Sequence, residues 1–256
     1  MIYYIDTSDK RLDYVYLQMQ NLHIPCCKFE ENNINLIVKN DKIIFAPSKK
    51  FDSEFLLKLP NNIELVAGNI KDDLLYILEE KQIKHNNIMK NELFTLNNAQ
   101  LTAEGVLSLI IEKSPKSMYE NNILLLGGGR ITKSCGVMFA KLGLKFAIMS
   151  FNPKEVIDAH YLTNKCYLGK DYLDDAKNYD IVINTIPIFH ILDEDLDKFQ
   201  ENSIYIETAS YNGLNADKIT KFNFIHAPAL PLKFTIESAG KLILNYILEG
   251  NKWLLI

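Results

Sequence analysis

The sequence has few arginines, few cysteines and no metal-binding motif. Arg11 and Arg130 are the only arginines among 28 basic residues, and the net charge is −4. This balance does not indicate a nucleic-acid-binding surface. The four cysteines form no C-x-x-C motif, so neither a zinc site nor a redox site is predicted, and reduced thiols are the simplest interpretation.

Long apolar runs are also absent. The longest are a few residues, whereas a helix that spans a bilayer needs about 20. The N-terminal residues show no basic region followed by a hydrophobic stretch, so no signal peptide is expected. With 48% hydrophobic and 23% charged residues, the composition indicates a soluble globular protein, and we expect a cytoplasmic location without a membrane partner.

The most informative stretch is a glycine triplet at 127–129. Residues 123–126 form a continuous apolar run, which predicts a buried strand, and the residues after the triplet read as the start of a helix. A strand, a glycine-rich turn and a helix N-terminus together bind a pyrophosphate, because the bare backbone and the free N–H groups can approach it. We therefore expect the cofactor phosphates to bind at Gly127, Gly128, Gly129, Arg130 and Ile131.

The triplet fits the fingerprint G-x-G-x-x-G except at its last position. Thr132 stands where the third glycine normally allows close packing of helix and strand. We expect this threonine to push the helix and the strand slightly apart without removing the turn. For Arg130, the alternative to a phosphate contact is a solvated residue at the start of a helix.

A second strand is predicted at 145–149, about twenty residues after the glycines. An acidic residue at the end of this strand would bind the ribose hydroxyls of NAD. Ser150, Asn152 and Lys154 stand there instead, and no carboxylate would repel a 2′-phosphate. This pattern favours NADP(H) as the cofactor. Alternatively, residues 150–153 form an ordinary turn.

Two later strands are predicted to end at the same rim. Residues 179–187 contain an apolar strand followed by Asn184, Thr185 and Pro187, which we expect to border the nicotinamide half of the cofactor. The strand at 203–207 brings Glu207 to this rim. Its carboxylate could orient ribose or act as a base, or it could cap a neighbouring loop, and the second interpretation is favoured.

The fold predicted from this order of elements is α/β, with a Rossmann doubly wound parallel sheet and a smaller N-terminal flavodoxin-like α/β domain. Residues 1–95 alternate between strand and helix patterns and form the N-terminal domain. A connecting helix lies within 96–117, capped by Thr102 and running to about residue 113. The Rossmann domain covers 118–234. The segment 235–256 forms a C-terminal helix that packs back on the first domain.

Four stretches, 97–105, 125–130, 181–187 and 227–240, together resemble the family of the dehydrogenase subunit of dipicolinate synthase. The resemblance implies an NADP-dependent oxidoreductase that converts 4-hydroxy-tetrahydrodipicolinate, a cyclic dicarboxylate of the lysine branch, to the spore metabolite dipicolinate. It also implies a partner, the small flavoprotein-like second subunit of dipicolinate synthase. A homo-oligomer is also compatible with the sequence.

The chain departs from the family pattern at several glycines. Thr132 replaces the third fingerprint glycine, and the family's Gly-Leu-Pro-Gly-Lys is Ala-Leu-Pro-Leu-Lys at 229–233. A Pro-Gly-Gly-like run is Asn-Gly-Leu at 212–214. These departures indicate a diverged member with an altered substrate or weaker cofactor binding.

The reaction that the resemblance implies needs a hydride acceptor, a base and cations for two carboxylates. Lys233 matches the family motif and is predicted to bind a carboxylate or transfer a proton, with an ordinary surface lysine as the alternative. Glu104 is predicted either to face the cleft between the domains or to cap the connecting helix. Glu207 completes the catalytic candidates, and no metal is predicted.

Two other functions are considered, and the first is disfavoured. A D-2-hydroxyacid dehydrogenase shares the two-domain plan but needs an arginine near the fifth strand of the Rossmann domain, and neither arginine lies there. A scaffold or sensor subunit would bind NADP(H) without turnover, and the lost glycines favour it.

Overall fold

The computed structural model describes residues 1–210 and 212–249, although it gives no side-chain surroundings for residues 216 and 249. The chain forms two compact units. One contains Met1–Asn98 and the segment that begins at Thr235, and the other contains Ala99–Phe234. The first boundary falls inside a long helix, α4 (Glu92–Lys113), and the second falls between two C-terminal helices.

The first unit is built on a five-stranded parallel sheet. Its strands are β1 (Tyr3–Ile5), β2 (Cys26–Lys28), β3 (Lys42–Ile44), β4 (Glu64–Ala67) and β5 (Lys84–Asn87). Their order in the sheet is β2-β1-β3-β4-β5. This is the flavodoxin-like order, so the predicted N-terminal fold is confirmed.

Helices cover the first sheet and bury its apolar strand residues. They are α1 (Lys10–Asn21), α2 (Ser53–Lys58), α3 (Leu75–Glu80), the start of α4, and α8 (Ile236–Glu249). Helix α8 packs closely on α1, because a methyl group at Gly240 would lie 2.7 Å from the ring of Tyr14. The predicted C-terminal segment continues to residue 256, and its last part lies outside the described residues.

The second unit is built on a six-stranded parallel sheet. Its strands are β6 (Asn122–Leu126), β7 (Lys145–Ser150), β8 (Cys166–Leu168), β9 (Ile181–Asn184), β10 (Ile204–Glu207) and β11 (Asn223–His226). The order is β11-β10-β9-β6-β7-β8, which is the Rossmann order and confirms the predicted doubly wound sheet. The chain leaves β6 in one direction and returns at β9 in the other, so the topological switch point lies between these two strands.

Three further helices belong to the second unit: α5 (Arg130–Leu142), α6 (Pro153–Ala159) and α7 (Leu230–Phe234). One core lies on each face of the sheet. Alternate residues of β6 divide between them: Ile123 and Leu125 join one core, and Leu124 and Leu126 join the other. A strand buried on both faces explains the continuous apolar run in the sequence.

The connecting helix starts well before the predicted cap, at Glu92 rather than after Thr102. The Asn91 side chain accepts a hydrogen bond from the Phe94 N–H at 2.8 Å, so Asn91 caps the first turn. Asn97, which precedes the predicted cap, is buried within the helix and donates from its amide to the Leu93 carbonyl at 2.8 Å. The predicted capping by Thr102 is therefore wrong, and Thr102 and Glu104 lie in the middle of α4.

Candidate nucleotide-binding site

The glycine loop leaves β6 at the switch point, and its first residue must be glycine. Gly127 has φ +118°, a conformation that residues with a side chain rarely adopt. A methyl group there would also clash with the hydroxyl of Thr185, the first residue after β9. The loop conformation and the close approach of the two strand ends therefore both depend on Gly127.

The next two glycines differ in what they face. A methyl group at Gly128 would clash with the carboxylate of Glu155. At Gly129, by contrast, a methyl group would meet no atom within 4 Å. Gly129 is the N-cap residue of α5 and has no side chain to cap it. The bare backbone at Gly129 and the first N–H groups of α5 thus leave room for an anion.

Thr132 forms a buried contact between α5 and the ends of the strands. It is fully buried, and its hydroxyl lies 2.9 Å from the Thr185 hydroxyl, which donates to the Leu126 carbonyl at 2.9 Å. Because the Thr185 proton is used in that bond, Thr132 is the donor to Thr185. The threonine at the third fingerprint position therefore ties the start of α5 to the ends of β6 and β9.

A cavity of about 260 Å³ opens over the glycine loop. Its lining joins seven of the eleven residues predicted to bind the cofactor: Gly127, Gly128, Gly129, Ser150, Asn152, Thr185 and Pro187. Three lining residues were not predicted: Phe151, Glu155 and Ile186. Arg130, Ile131, Lys154 and Asn184 do not line it. Arg130 and Ile131 lie in the first turn of α5, which the loop precedes.

A carboxylate lies at the edge of the cavity beside the end of β7, where the sequence analysis expected none. The Ser150 hydroxyl donates to Oε2 of Glu155 at 2.5 Å. The expectation that no carboxylate lies here is therefore wrong. Asn152 caps α6 by accepting a hydrogen bond from the Lys154 N–H at 3.0 Å, and the Lys154 side chain is exposed.

The sequence contained a signal for this carboxylate. Asn152 followed by Pro153 is a typical helix start, because asparagine caps well and proline fits the first helical position. Glu155 then falls in the first turn of α6, where an acidic side chain is favoured by the helix dipole. The alternative interpretation of 150–153 as a simple turn overlooked this helix.

Asn184 and Glu207 form a buried pair behind the rim and are not open to a ligand. Both have no exposed surface. The Asn184 amide donates to the two carboxylate oxygens of Glu207 at 2.9 and 3.0 Å, and the same carboxylate accepts from the N–H groups of Ala209 and Gly213 at 3.0 and 2.9 Å. Burial raises the pKa of Glu207. The structure thus supports the loop-capping interpretation of Glu207 and corrects the placement of Asn184 at the nicotinamide.

The comparisons with known proteins give one clear result. No protein-family model matches the chain, and no curated protein sequence matches it significantly. Among solved structures, a dipicolinate synthase subunit from Bacillus halodurans is similar over 96% of both chains, with a TM-score of 0.81 and 18% identity. A dipicolinate synthase from Bacillus subtilis is similar over 96% of this chain and 93% of its own, with a TM-score of 0.80 and 18% identity.

The chain has the fold of these dipicolinate synthase subunits. The resemblance seen in four sequence stretches is thus confirmed as a resemblance of folds, at 18% identity. A more distant structural neighbour is a D-lactate dehydrogenase with NAD⁺ from Lactobacillus jensenii, with a TM-score of 0.61, 12% identity and coverage of 97% of this chain and 94% of its own.

Two of the stretches that resemble dipicolinate synthase pack against each other. A methyl group at Gly105 in α4 would lie 2.7 Å from the Leu230 side chain and 3.3 Å from the Phe234 ring in α7. Glu104 is half-buried beside this contact, and burial raises its pKa. Lys233 on α7 is exposed, with Nζ 4.9 Å from the centre of the Phe234 ring. Neither Glu104 nor Lys233 lines the cavity over the glycine loop.

A separate polar cluster occupies the switch point of the first sheet, between β1 and β3. The carboxylate of Asp6 accepts from the Ser8 hydroxyl at 2.6 Å and lies 3.7 Å from Nζ of Lys49. Arg11, nearly buried, binds Asp9 at 2.8 Å and contacts the Ser48 hydroxyl at 3.3 Å. Ligands of open α/β sheets bind at such positions, so the two cations are candidates for contact with an anion.

Residues 1–210 and 212–249 show neither a membrane span nor a cluster of metal ligands. No helix in these ranges is long and apolar enough to cross a membrane. The same residues contain no group of three or more His, Cys, Asp or Glu side chains that could hold a metal ion.

Proposed function

We propose that the protein is an oxidoreductase that uses a nicotinamide dinucleotide. The observation that carries this proposal is Gly129, whose bare backbone faces open space at the start of α5 and at the switch point of a Rossmann sheet. No neighbouring atom of the described residues requires glycine there. A pyrophosphate approaching the helix N-terminus would require it.

The residues of the cavity fit such a cofactor. The glycine loop would hold the pyrophosphate, and the end of β7 would hold the adenosine ribose. Thr185 and Pro187 lie at the end of β9, on the other side of the switch point, where we place the nicotinamide half. When bound, the nicotinamide ring would supply the acceptor for a hydride. The role of the chain is then to bind and orient the cofactor beside the substrate.

For the substrate we propose a small cyclic dicarboxylate, such as the 4-hydroxy-tetrahydrodipicolinate implied by the resemblance. Its conversion to dipicolinate loses one water and transfers a hydride and a proton. The shared fold over 96% of the chain supports this choice. Lys233, an exposed cation of the second unit, is the residue that we propose for one of the carboxylates. A second, flavoprotein-like subunit of the dipicolinate synthase type remains part of the proposal.

The form of the cofactor depends on the end of β7. The resemblance implies NADP⁺, and the exposed Lys154 is compatible with a 2′-phosphate. However, Ser150 and Asn152 are already engaged with Glu155 and with the α6 backbone. The negative charge of the Glu155 carboxylate would repel a 2′-phosphate at this edge of the cavity.

Thermal unfolding with NAD⁺, NADH, NADP⁺ and NADPH tests dinucleotide binding. A ligand that binds only the folded state at a hundred times its Kd stabilises it by about 2.7 kcal/mol. We expect a shift in Tm for at least one dinucleotide, and no ligand-induced shift for Gly127→Ala, whose loop cannot keep φ +118° without strain. No shift for the folded wild-type protein would contradict the proposal.

Absorbance of the reduced nicotinamide then tests turnover, with the cyclic dicarboxylate as substrate and with or without the second subunit. One observation favours a non-catalytic alternative: Lys233, Glu104 and Glu207 do not line the cavity. Tight dinucleotide binding without turnover of this substrate, alone or with the partner, would select a cofactor-binding scaffold subunit instead.

A further inference from the structure

The end of β7 holds a carboxylate that is aimed into the cavity. Glu155 is half-buried in the first turn of α6, and its Oε2 accepts a hydrogen bond from the nearly buried Ser150 hydroxyl at 2.5 Å. The Asn152 N–H donates to the oxygen of Ser150 at 3.1 Å. These bonds fix the hydroxyl, so that Ser150 positions the carboxylate.

The same carboxylate lies against the second glycine of the loop. A methyl group at Gly128 would clash with Oε2, Cβ and Cδ of Glu155. Because residue 128 is glycine, the Glu155 side chain has room to lie against the loop. Both residues line the same cavity. In the part of the chain that the structure describes, no hydrogen bond or ion pair occupies Oε1 of Glu155.

We propose that Glu155 accepts hydrogen bonds from the 2′- and 3′-hydroxyls of the adenosine ribose, so that the protein binds NAD(H) in preference to NADP(H). This inference rests on the proposed function. An ionised carboxylate only accepts hydrogen bonds, and a ribose diol offers two donors. In many dinucleotide-binding folds this acid stands at the end of the second strand. Here it reaches the same edge from five residues further on, while Ser150 occupies the strand end.

A 2′-phosphate at this place would meet unfavourable surroundings. It would bring about two negative charges close to the carboxylate, and the Ser150 hydroxyl already donates its proton to Glu155. The opposing positive charge of Lys154 lies at the exposed rim, where water and salt screen it. Charge repulsion across roughly 6 Å of aqueous surroundings gives a discrimination on the order of tenfold, which should diminish as salt is added.

Calorimetric titration of the full chain with NAD⁺ and NADP⁺ tests this assignment. The wild-type protein should bind NAD⁺ at least about tenfold more tightly than NADP⁺. Glu155→Gln should weaken NAD⁺, strengthen NADP⁺ and bring the ratio of the two affinities close to one. The pair 5′-AMP and adenosine 2′,5′-bisphosphate, which differ only in the 2′-phosphate, should show the same change of ratio.

Asp158→Asn is the matched control. Asp158 lies on the same helix and carries the same charge, but it pairs with Lys133 at 2.9 Å and does not line the cavity. This variant should keep the wild-type ratio, which separates a local effect of Glu155 from a general change in charge. Ser150→Ala should reduce the ratio only in part, because the carboxylate is kept and only its positioning bond is lost.

Several results would overturn the assignment. Equal or tighter binding of NADP⁺ by the wild-type protein would do so, as would an unchanged ratio in Glu155→Gln or an equal loss of ratio in Asp158→Asn. Binding of neither dinucleotide by the folded wild-type protein would instead overturn the proposed function, and the assignment of Glu155 with it.

Discussion

The replacement of Ala229 by glycine should stabilise the protein. Ala229 precedes α7 and has φ +52°, in the left-handed region that disfavours a residue with a Cβ atom. Its side chain is exposed, so that removal of the methyl group gives up little buried area. This is the position at which the related family pattern has glycine.

The expected gain follows from two opposing terms. Release of the left-handed strain is worth about 1–2 kcal/mol. The greater freedom of glycine in the unfolded chain costs about 0.5–1 kcal/mol. Ala229→Gly should therefore raise the free energy of unfolding by about 0–1.5 kcal/mol, with a midpoint near 0.75 kcal/mol that corresponds to a rise in Tm of roughly 1.5–3 °C for a chain of this size.

Ala227→Gly is the control for this prediction. Ala227 lies two residues earlier, is buried and has no positive φ, so that glycine there should destabilise the protein by about 1 kcal/mol. Urea unfolding followed by far-UV circular dichroism measures both variants. A loss of stability in Ala229→Gly similar to that in Ala227→Gly would refute the claim that the backbone at 229 is strained.

Substitutions at three other positions test polar side chains of the second unit. Glu207→Ala should lower the free energy of unfolding by at least about 3 kcal/mol in urea, because Asn184 and two backbone N–H groups lose their acceptor; a loss below about 1 kcal/mol would contradict the loop-capping role. Thr132→Val should cost roughly 1 kcal/mol and Thr132→Ser much less, since serine keeps the hydroxyl that contacts Thr185, whereas equal losses would indicate packing alone. Burial raises the pKa of Glu104, so its stabilising contribution is complete below the unfolded-state pKa and is lost as pH rises through the higher folded-state pKa. Glutamine at 104 does not ionise, so Glu104→Gln removes the loss of stability at high pH. The Tm of the variant minus that of the wild type should therefore be larger at pH 8 than at pH 4. A Tm difference that is independent of pH would contradict a raised pKa of Glu104.

The parts of the fold that were predictable from sequence are those in which local pattern and tertiary packing agree. The apolar run before Gly127 identified a strand buried on both faces, and the glycines that follow identified the turn. Both signals are local. The strand orders followed because alternating strands and helices favour parallel sheets.

The features that were predicted wrongly involve residues whose partners are distant or unexpected. The helix start was placed at Thr102, yet α4 begins at Glu92, and Asn97 is buried inside it with its amide bonded to the preceding turn. The acid at the end of β7 comes from the next helix, beyond the strand end where such an acid is normally expected. For Asn184, the rim was predictable from the strand pattern, but the direction of the side chain was not, because burial decides it. The loop-capping interpretation of Glu207 agrees with its contacts to Ala209 and Gly213.

The contact between Thr132 and Thr185 has a consequence for how this site can change. The two residues are 53 positions apart in the chain, yet their side chains pack together and their hydroxyls form one hydrogen bond. Glycine at 132 alone would remove the donor to Thr185 and leave a gap where a buried side chain now packs. A variant with the third fingerprint glycine therefore needs a compensating change at 185, and the two positions should be changed together if the loop is to stay intact.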